Sequence, residues 1–326
     1  MKLNFFNRKL SKSLSIEKLF SFIIPEIDKL GYDTKIINNP YDLNILGVIK
    51  SILFFRSKKA TINHITGDIH WLAIFLNPKS TVLTIHDLVG LTQLSGLKRW
   101  IFYWFWVYLP IKRLKYITTI SQKTKKEIVE LLPWAEHKIT VIENCLTFSA
   151  KKVEKIPHET TQILIVGTRV NKNIETTFSA VKDLPVELTI VGELSKKQLQ
   201  YLKEHNIRFK NKINISEEEL QQIYFESDIL CFPSLYEGFG LPILEAQASE
   251  VAVITSNISP TKEVAGKGAI LVNPLDKNEI KKSIELLMND AEFKKSLINS
   301  GLENIKNYSP QMIAKKYSEL YKKMMK

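Results

Sequence analysis

The sequence predicts an α/β protein made of two doubly wound domains that face each other across a cleft. Three observations predict it. Short apolar runs alternate with helical patterns along most of the chain, and the alternation restarts after a polar stretch at 147–160. Around 165–173 and again around 228–248, an apolar run gives way to glycines and charged residues and then to a helix. Alternation of this kind argues for parallel sheets with helices on both faces, and such sheets gather ligands at the carboxyl ends of their strands.

In chain order, the apolar runs place strands at about 2–6, 33–37, 61–66, 80–85, 116–120 and 138–142. Helical patterns fall at about 15–30, 44–55, 97–113 and 122–132. The segment Thr147 to Thr160 is polar, carries Pro157, and reads as a linker. Beyond it, strands are expected at about 162–167, 186–191, 206–209, 228–232, 251–255 and 269–272. The domains are therefore drawn as 1–150 and 151–305, followed by a charged helical tail at 306–326.

Composition fits this division. The 326 residues are 44% hydrophobic and 25% charged, a soluble globular balance with room for two domains. No segment approaches the ~18 apolar residues of a membrane span. No signal peptide is visible, because the opening Met1 to Phe6 is short and runs into Asn7, Arg8 and Lys9. Cys145 and Cys231 lie far apart, form no metal or redox motif, and read as buried thiols of a reducing cytoplasm. The net charge of +12 is uneven. Residues 1–150 hold 21 Lys and Arg against 11 Asp and Glu, whereas residues 151–326 hold 25 against 23. Such a basic half suits an anionic partner: nucleic acid, anionic lipid or a phosphorylated substrate.

The chemistry concentrates in Tyr236-Glu237-Gly238-Phe239-Gly240-Leu241-Pro242-Ile243-Leu244-Glu245. It follows the apolar strand at 228–232 and opens a helix, with Pro242 suited to the first helical position. Gly238 and Gly240 let backbone approach a ligand, and the N–H groups of a helix start favour an anion such as a diphosphate. Glu237 in the loop and Glu245, expected in the first helical turn, suit the hydroxyls of a polyhydroxylated group. Upstream, Gly167 ends a strand and a short loop carries Arg169 and Lys172, a bidentate fork and a point charge able to neutralise a diphosphate. Taken singly, a glycine turn with acids near a helix dipole, or a solvated basic loop, would be the plain structural readings.

Together these residues resemble the E-x7-E motif and the Gly-x-Arg…Lys-Asn element of the family 4 (group 1) retaining glycosyltransferases, which have the GT-B fold of two Rossmann-like domains. The resemblance is close across roughly 160–275, fair across 80–145 and weak before residue 60. It implies a nucleotide-sugar-binding domain at 151–305, an acceptor-binding domain at 1–150, and a tail that crosses back to the first domain and packs Tyr308, Tyr317 and Tyr321 there. It implies catalytic roles for Glu237, Lys172, Arg169 and His86, and donor binding by Gly238, Phe239, Gly240, Leu241 and Glu245. The region Phe209 to Ile213 corresponds to the part that holds the base, and Thr255 to Pro260 with Glu263 to a supporting loop. The partners implied are a nucleotide-sugar donor and a glycan or lipid-linked acceptor, with no cofactor, no metal and no nucleic acid. The work implied is bacterial surface polysaccharide or glycolipid synthesis, in the cytoplasm or peripherally on the inner face of the cell membrane.

The first half offers less. A strand ending at Ile85 delivers His86 and Asp87, and the family it resembles often has His-Asp at this place, with the histidine near the transferred sugar. His64 is open between site and core, and His70 reads as structural. Ser121 and Ser216 read as helix caps, Ser216 with Glu219 as a capping box, and Asn144 as a residue near the domain junction. The glycine-rich loop that many relatives carry after their first strand is missing, since Asn7, Arg8, Lys9, Leu10, Ser11 and Lys12 stand there. Arg8 is the acceptor candidate that remains, beside Asp87.

Lys98 to Lys115 packs apolar and aromatic residues between basic pairs. The run is rich in Trp and Tyr, which favour membrane interfaces. A helix buried in the first domain and one that also touches anionic lipid both fit it. Beside the transferase stands a second class: a basic protein that binds nucleic acid or another anionic polymer and keeps only a vestige of the nucleotide site. It predicts cations interleaved with exposed aromatics and no need for Glu237. A phosphorylase would want a pyridoxal-phosphate lysine site that the sequence does not offer.

Overall fold

The computed structural model describes residues 1–9, 15–148 and 158–326. The chain forms two compact units: Met1–Thr147 joined by Tyr308–Lys326, and Phe148–Asn307. Most of the linker expected at 147–160, and Leu10, Ser11 and Lys12 of the first loop, lie outside the described residues.

The first unit opens with β1 (Lys2–Asn7), α1 (Ser15–Lys29), β2 (Asp33–Asn38), α2 (Ile45–Ser57) and β3 (Ile62–Ile65). A 3-10 turn at His70–Phe75 leads to β4 (Thr81–Ile85), α3 (Val89–Gln93) and α4 (Gly96–Phe102). A π-helical turn, Tyr103–Tyr108, joins α4 to α5 (Leu109–Arg113). Next come β5 (Tyr116–Thr119), α6 (Gln122–Leu131) and β6 (Ile139–Val141). The sheet is parallel, in the order β2-β1-β3-β4-β5-β6. Strand direction of growth reverses between β1 and β3.

Alternation of side chains sorts this sheet into two faces. Phe6, Ile65, Leu83 and Ile85 point to a core shared with α2, the 3-10 turn, α5 and α6. Leu3, Phe5, Ile62 and Val82 point to the other, where α1 packs. That second face is completed by the last helix of the chain, Pro310–Met324, whose Tyr317 and Tyr321 are fully buried. Tyr308 contributes its carbonyl, which accepts from the Leu146 N–H at 2.8 Å.

The second unit runs β7 (Thr161–Val166), a 3-10 turn at Val170–Lys172, α7 (Ile174–Val181), β8 (Val186–Val191), α8 (Lys196–Glu204), β9 (Arg208–Lys212) and α9 (Glu217–Glu226). It continues with β10 (Ile229–Phe232), α10 (Leu241–Ala248), β11 (Ala252–Ser256), α11 (Thr261–Ala265), β12 (Ile270–Val272), α12 (Lys277–Asn289) and α13 (Ala291–Asn304). The closing helix of the first unit is then α14. This sheet is also parallel, ordered β12-β11-β10-β7-β8-β9, and its growth reverses between β7 and β10.

Several expectations shift. The strand read at 206–209 lies at Arg208–Lys212, because its side chains alternate half-exposed and exposed on a sheet edge and the polar Lys210 and Lys212 belong to it. The helix read at 97–113 is three segments, its middle turn wound as a π-helix. The tail from Tyr308 is integral to the first unit, since Tyr317 and Tyr321 fill the core under α1.

Candidate functional site

At a reversal of strand order the loops leaving two neighbouring strands diverge and open a crevice. In the second unit those strands are β7 and β10, and the two loops are the charged ones. After β7, Gly167 adopts φ +84°, and a Cβ there would press on Lys172 Cε at 2.9 Å. The missing side chain is thus what admits the lysine stem. Lys172 Nζ meets Glu237 Oε1 at 2.7 Å, with 18% and 12% of the two side chains exposed. The same ammonium lies 4.6 Å from the centre of the Phe232 ring. An aromatic face, a carboxylate and the packed stem together fix the cation in place.

Two asparagines stitch the loops together. Asn171 Nδ2 donates to the Tyr236 carbonyl at 2.9 Å, while the Leu235 N–H donates to the Asn171 carbonyl at 2.8 Å. Asn173, buried and left-handed at φ 54°, donates from Nδ2 to the carbonyls of Pro233 and Pro274 at 3.2 and 2.6 Å. A non-glycine residue accepts that conformation more readily when it is asparagine, and here the side chain ties down three segments.

The glycine loop then enters α10. Gly240 occupies the N-cap at φ +114°, where any side chain would be strained, and its absent Cβ would crowd Ile243 Cδ1 at 3.2 Å. Gly238 is not left-handed, so close backbone approach is built around Gly240. The Phe239 ring is buried, which leaves its backbone as the part able to meet a donor, and Leu241 is half-buried at the first helical position. Pro242 stands second in the helix. Glu245 lies in the second turn, not the first, because the helix starts only at Leu241. One of its carboxylate oxygens accepts from the buried Tyr224 hydroxyl at 2.7 Å. Burial and the adjacent carboxylate hold that phenol well above its ordinary range. Arg169 is exposed and starts the 3-10 turn that carries Lys172.

In the first unit, His86 follows β4 and its Nε2 donates to the Thr66 carbonyl at 2.9 Å, which leaves Nδ1 as the acceptor in the neutral ring. Burial lowers its pKa. Asp87 is exposed and accepts from the Val89 N–H at 2.9 Å, a local turn just ahead of the short α3. Arg8 Nε pairs with Glu17 Oε1 at 3.1 Å. The glycine missing from the loop after β1 has a counterpart across the reversal point: Gly67, after β3, lies so close to Arg8 that a Cβ would sit 2.9 Å from the Arg8 backbone nitrogen.

His64 belongs to the core. Its Nδ1 and Nε2 sit 2.7 Å from Tyr321 Oη and Thr84 Oγ1, and burial drives its pKa down to about 3. His70 is likewise structural, bonded to the Trp106 carbonyl at 2.9 Å, and its pKa is lowered by burial. Both cysteines are buried, their thiols pushed up to about 12 by desolvation. Ser121 caps α6, and Ser216 with Glu219 forms the capping box of α9. Thr255 and Ser256 bond to the Phe232 and Ser234 carbonyls, bracing the end of β10. Asn211 donates to the Ile190 and Gly192 carbonyls, holding the edge strand at the ends of β8. Among the described residues no group of three His, Cys, Asp or Glu is placed to hold a metal, and no helix is long and apolar enough to cross a membrane.

Four residues of the site escaped sequence reasoning: Asn171, Asn173, Tyr224 and Phe232. Asn173 stands at the end of the Gly-x-Arg…Lys-Asn element, but its reach to Pro233 and Pro274 depends on segments distant in sequence.

Residues 147–304 match the family model of group 1 glycosyl transferases. The chain is 26% identical over 214 residues to the O-antigen chain mannosyltransferase RfbU of Salmonella typhimurium; the match covers 64% of this chain and 60% of that one. It is 26% identical over 316 residues to the capsular polysaccharide biosynthesis glycosyltransferase CapM of Staphylococcus aureus, covering 87% of this chain and 82% of that one. A solved glycosyltransferase from Rickettsia africae superposes with a TM-score of 0.78 at 17% identity, over 100% of this chain and 98% of the other. At that identity the likeness shows the fold, which is GT-B.

Proposed function

We propose that this chain is a retaining family 4 glycosyltransferase that moves a sugar from a nucleotide-diphosphate sugar to a glycan or lipid-linked acceptor in bacterial surface polysaccharide or glycolipid assembly. The observation that carries it is the Lys172–Glu237 pair at 2.7 Å, set at the β7/β10 reversal beside the start of α10. A cation and a helix start at one crevice suit a departing diphosphate, and a carboxylate next to them suits the sugar it leaves. The kinship to RfbU and CapM supports the polysaccharide setting.

In the reaction we infer, the acceptor oxygen forms its bond to the anomeric carbon on the face that the diphosphate leaves. The bond from that carbon to the diphosphate oxygen breaks, its electron pair stays on the diphosphate, and the acceptor proton passes to a diphosphate oxygen. Lys172, Arg169 and the amides around Gly240 stabilise the leaving charge. Glu237 holds sugar hydroxyls and balances developing positive charge at the ring. Glu245 binds the ribose. His86 and Asp87 serve the sugar and acceptor from the first unit. NMR of the product linkage tests the stereochemistry: the donor configuration should be kept, and an inverted linkage sinks the mechanism.

Because side chains supply the countercharge, turnover should survive excess EDTA. Complete loss restored by magnesium would instead require a metal on the diphosphate. The enzyme is proposed to work at the cytoplasmic face of the membrane, with the outer side of α4 against anionic lipid. Trp100 and Phe105 are exposed there, while Trp104 and Trp106 are half-buried, and Trp106 stacks on Phe102 at 5.8 Å.

A further inference from the structure

A basic recess of the first unit plays no part in the proposed transfer. It lies at the amino ends of the strands, away from His86, and has a volume of about 480 Å³. Arg56 of α2, Lys59 just after it and Arg113 at the end of α5 line it, together with Phe75 and Leu76. None of the three cationic side chains has an ion-pair or hydrogen-bond partner among the described residues. Cations in a last helical turn often serve only the helix dipole. Here that task is taken by others: Lys138 Nζ donates to the Ile111 and Lys112 carbonyls at 3.1 Å each, and the Lys58 N–H closes α2 on the Phe55 carbonyl. Three unpaired like charges lining one cavity repel one another, which an anion between them would relieve.

The recess continues into an apolar surface. At 100° per residue, Ile45, Ile49, Leu53 and Arg56 fall within an arc of about 80° on the outer side of α2. The three aliphatic side chains are exposed, Ile45 by 83%. The outer side of α4 repeats the pattern with Leu97, Trp100 and Ile101, followed by Phe105 in the π-turn. Both helices cover the same face of the sheet, with the 3-10 turn His70–Phe75 packed between α2 and α5. The α2 stripe thus borders the anion-seeking pocket, and the α4 stripe lies on the same side of the sheet. The stripe that borders the recess, on α2, is wholly aliphatic and suits acyl chains, whereas a polynucleotide would favour stacking rings beside the cations that hold it.

We propose that this face docks on an anionic bilayer and that the recess between α2 and α5 takes the phosphate of a lipid headgroup. The proposal rests on the membrane part of the function above and is independent of the transfer chemistry. The experiment is sedimentation of the full chain with vesicles of phosphatidylcholine alone or mixed with phosphatidylglycerol. Wild type should pellet with the mixed vesicles only. Arg56→Gln with Lys59→Gln should weaken partitioning by about 25-fold, at roughly 5-fold per cation near such a surface. Lys322→Gln with Lys323→Gln on α14, the opposite face of the sheet, removes the same charge and should cost less than about 3-fold. Both double variants change exposed residues and should keep the wild-type melting temperature.

Equal losses in the two double variants would mean diffuse charge and overturn the pocket while leaving membrane contact intact. No pelleting of wild type at low salt would overturn both. Release by inorganic phosphate beyond an equal ionic strength of chloride would assign the recess to a soluble anion. An oligonucleotide that binds more tightly than the mixed vesicles, and is lost with Arg56 and Lys59, would assign it to nucleic acid. Either result overturns the lipid.

Discussion

Lys172 and Glu237 were separate candidates in the sequence, one for phosphate and one for sugar. Joined at 2.7 Å, they make a single device whose two halves compete with the ligand for each other. In the proposed transfer, an arriving diphosphate shares the ammonium with the carboxylate. Glu237→Gln should therefore bind nucleoside diphosphate more tightly, by about 3- to 5-fold, the scale of a partly exposed ion pair. Turnover should nevertheless fall by 100-fold or more, as for loss of a transition-state contact. Lys172→Ala and Arg169→Ala should lose turnover steeply with the fold intact. Calorimetry and initial rates separate the two effects, and weaker diphosphate binding by Glu237→Gln would count against the competition. Glu245 tests differently because the buried Tyr224 hydroxyl donates to it. Glu245→Ala strands that hydroxyl and should cost about 1–3 kcal/mol of stability besides weakening nucleotide binding. Adding Tyr224→Phe should restore the stability but not the binding, which denaturant melts and a nucleotide titration can check. Residues in contiguous motifs were legible. Tyr224 was not, because nothing in its local pattern distinguishes a core tyrosine from one aimed at a carboxylate on another helix.

Helices and strands were read best where periodicity is unbroken. The parallel strands of both sheets emerged from their apolar runs, whereas β9 slipped because an edge strand carries as many lysines as a loop. The segment 97–113 kept a helical period but hid its π-turn, since widening by one residue per turn leaves hydrophobicity unchanged. α14 carries the clearest consequence. Its Tyr317 and Tyr321 enclose His64 against Phe20 of α1, so the imidazole is neutral in the fold at a pKa of about 3. An unfolded histidine protonates near 6.5. Between those values the unfolded chain binds the extra proton. Stability is thus fully present above about pH 6.5 and is lost as pH falls, by about 2 kcal/mol at pH 5 from His64 alone. His70 and His86, both lowered by burial, act in the same direction. Urea midpoints at pH 7.5 and 5 should show the loss, and His64→Gln should flatten it. An unchanged slope would place the proton elsewhere.

At the scale of the whole molecule, charge divides more sharply than the sequence split suggested. The first unit, counted with its returning tail, holds 26 Lys and Arg against 12 Asp and Glu, and the second holds 20 against 22. Splitting at residue 150 had blurred this, because the lysines of α14 were credited to the wrong domain. Connectivity, unlike motif chemistry, leaves no local mark in the sequence, so the tail's allegiance came from family resemblance and not from its own residues. That connectivity also bears on how the protein is made. Synthesis is vectorial, and domains tend to fold as units while the chain emerges. Phe148–Asn307 is one uninterrupted stretch and can begin to close before residues 308–326 emerge. The first unit, although translated earlier, waits for α14 to seal Phe20, His64 and Tyr32. The half made first is therefore finished last, and throughout that interval its open apolar face is the part of the nascent chain that a chaperone would guard.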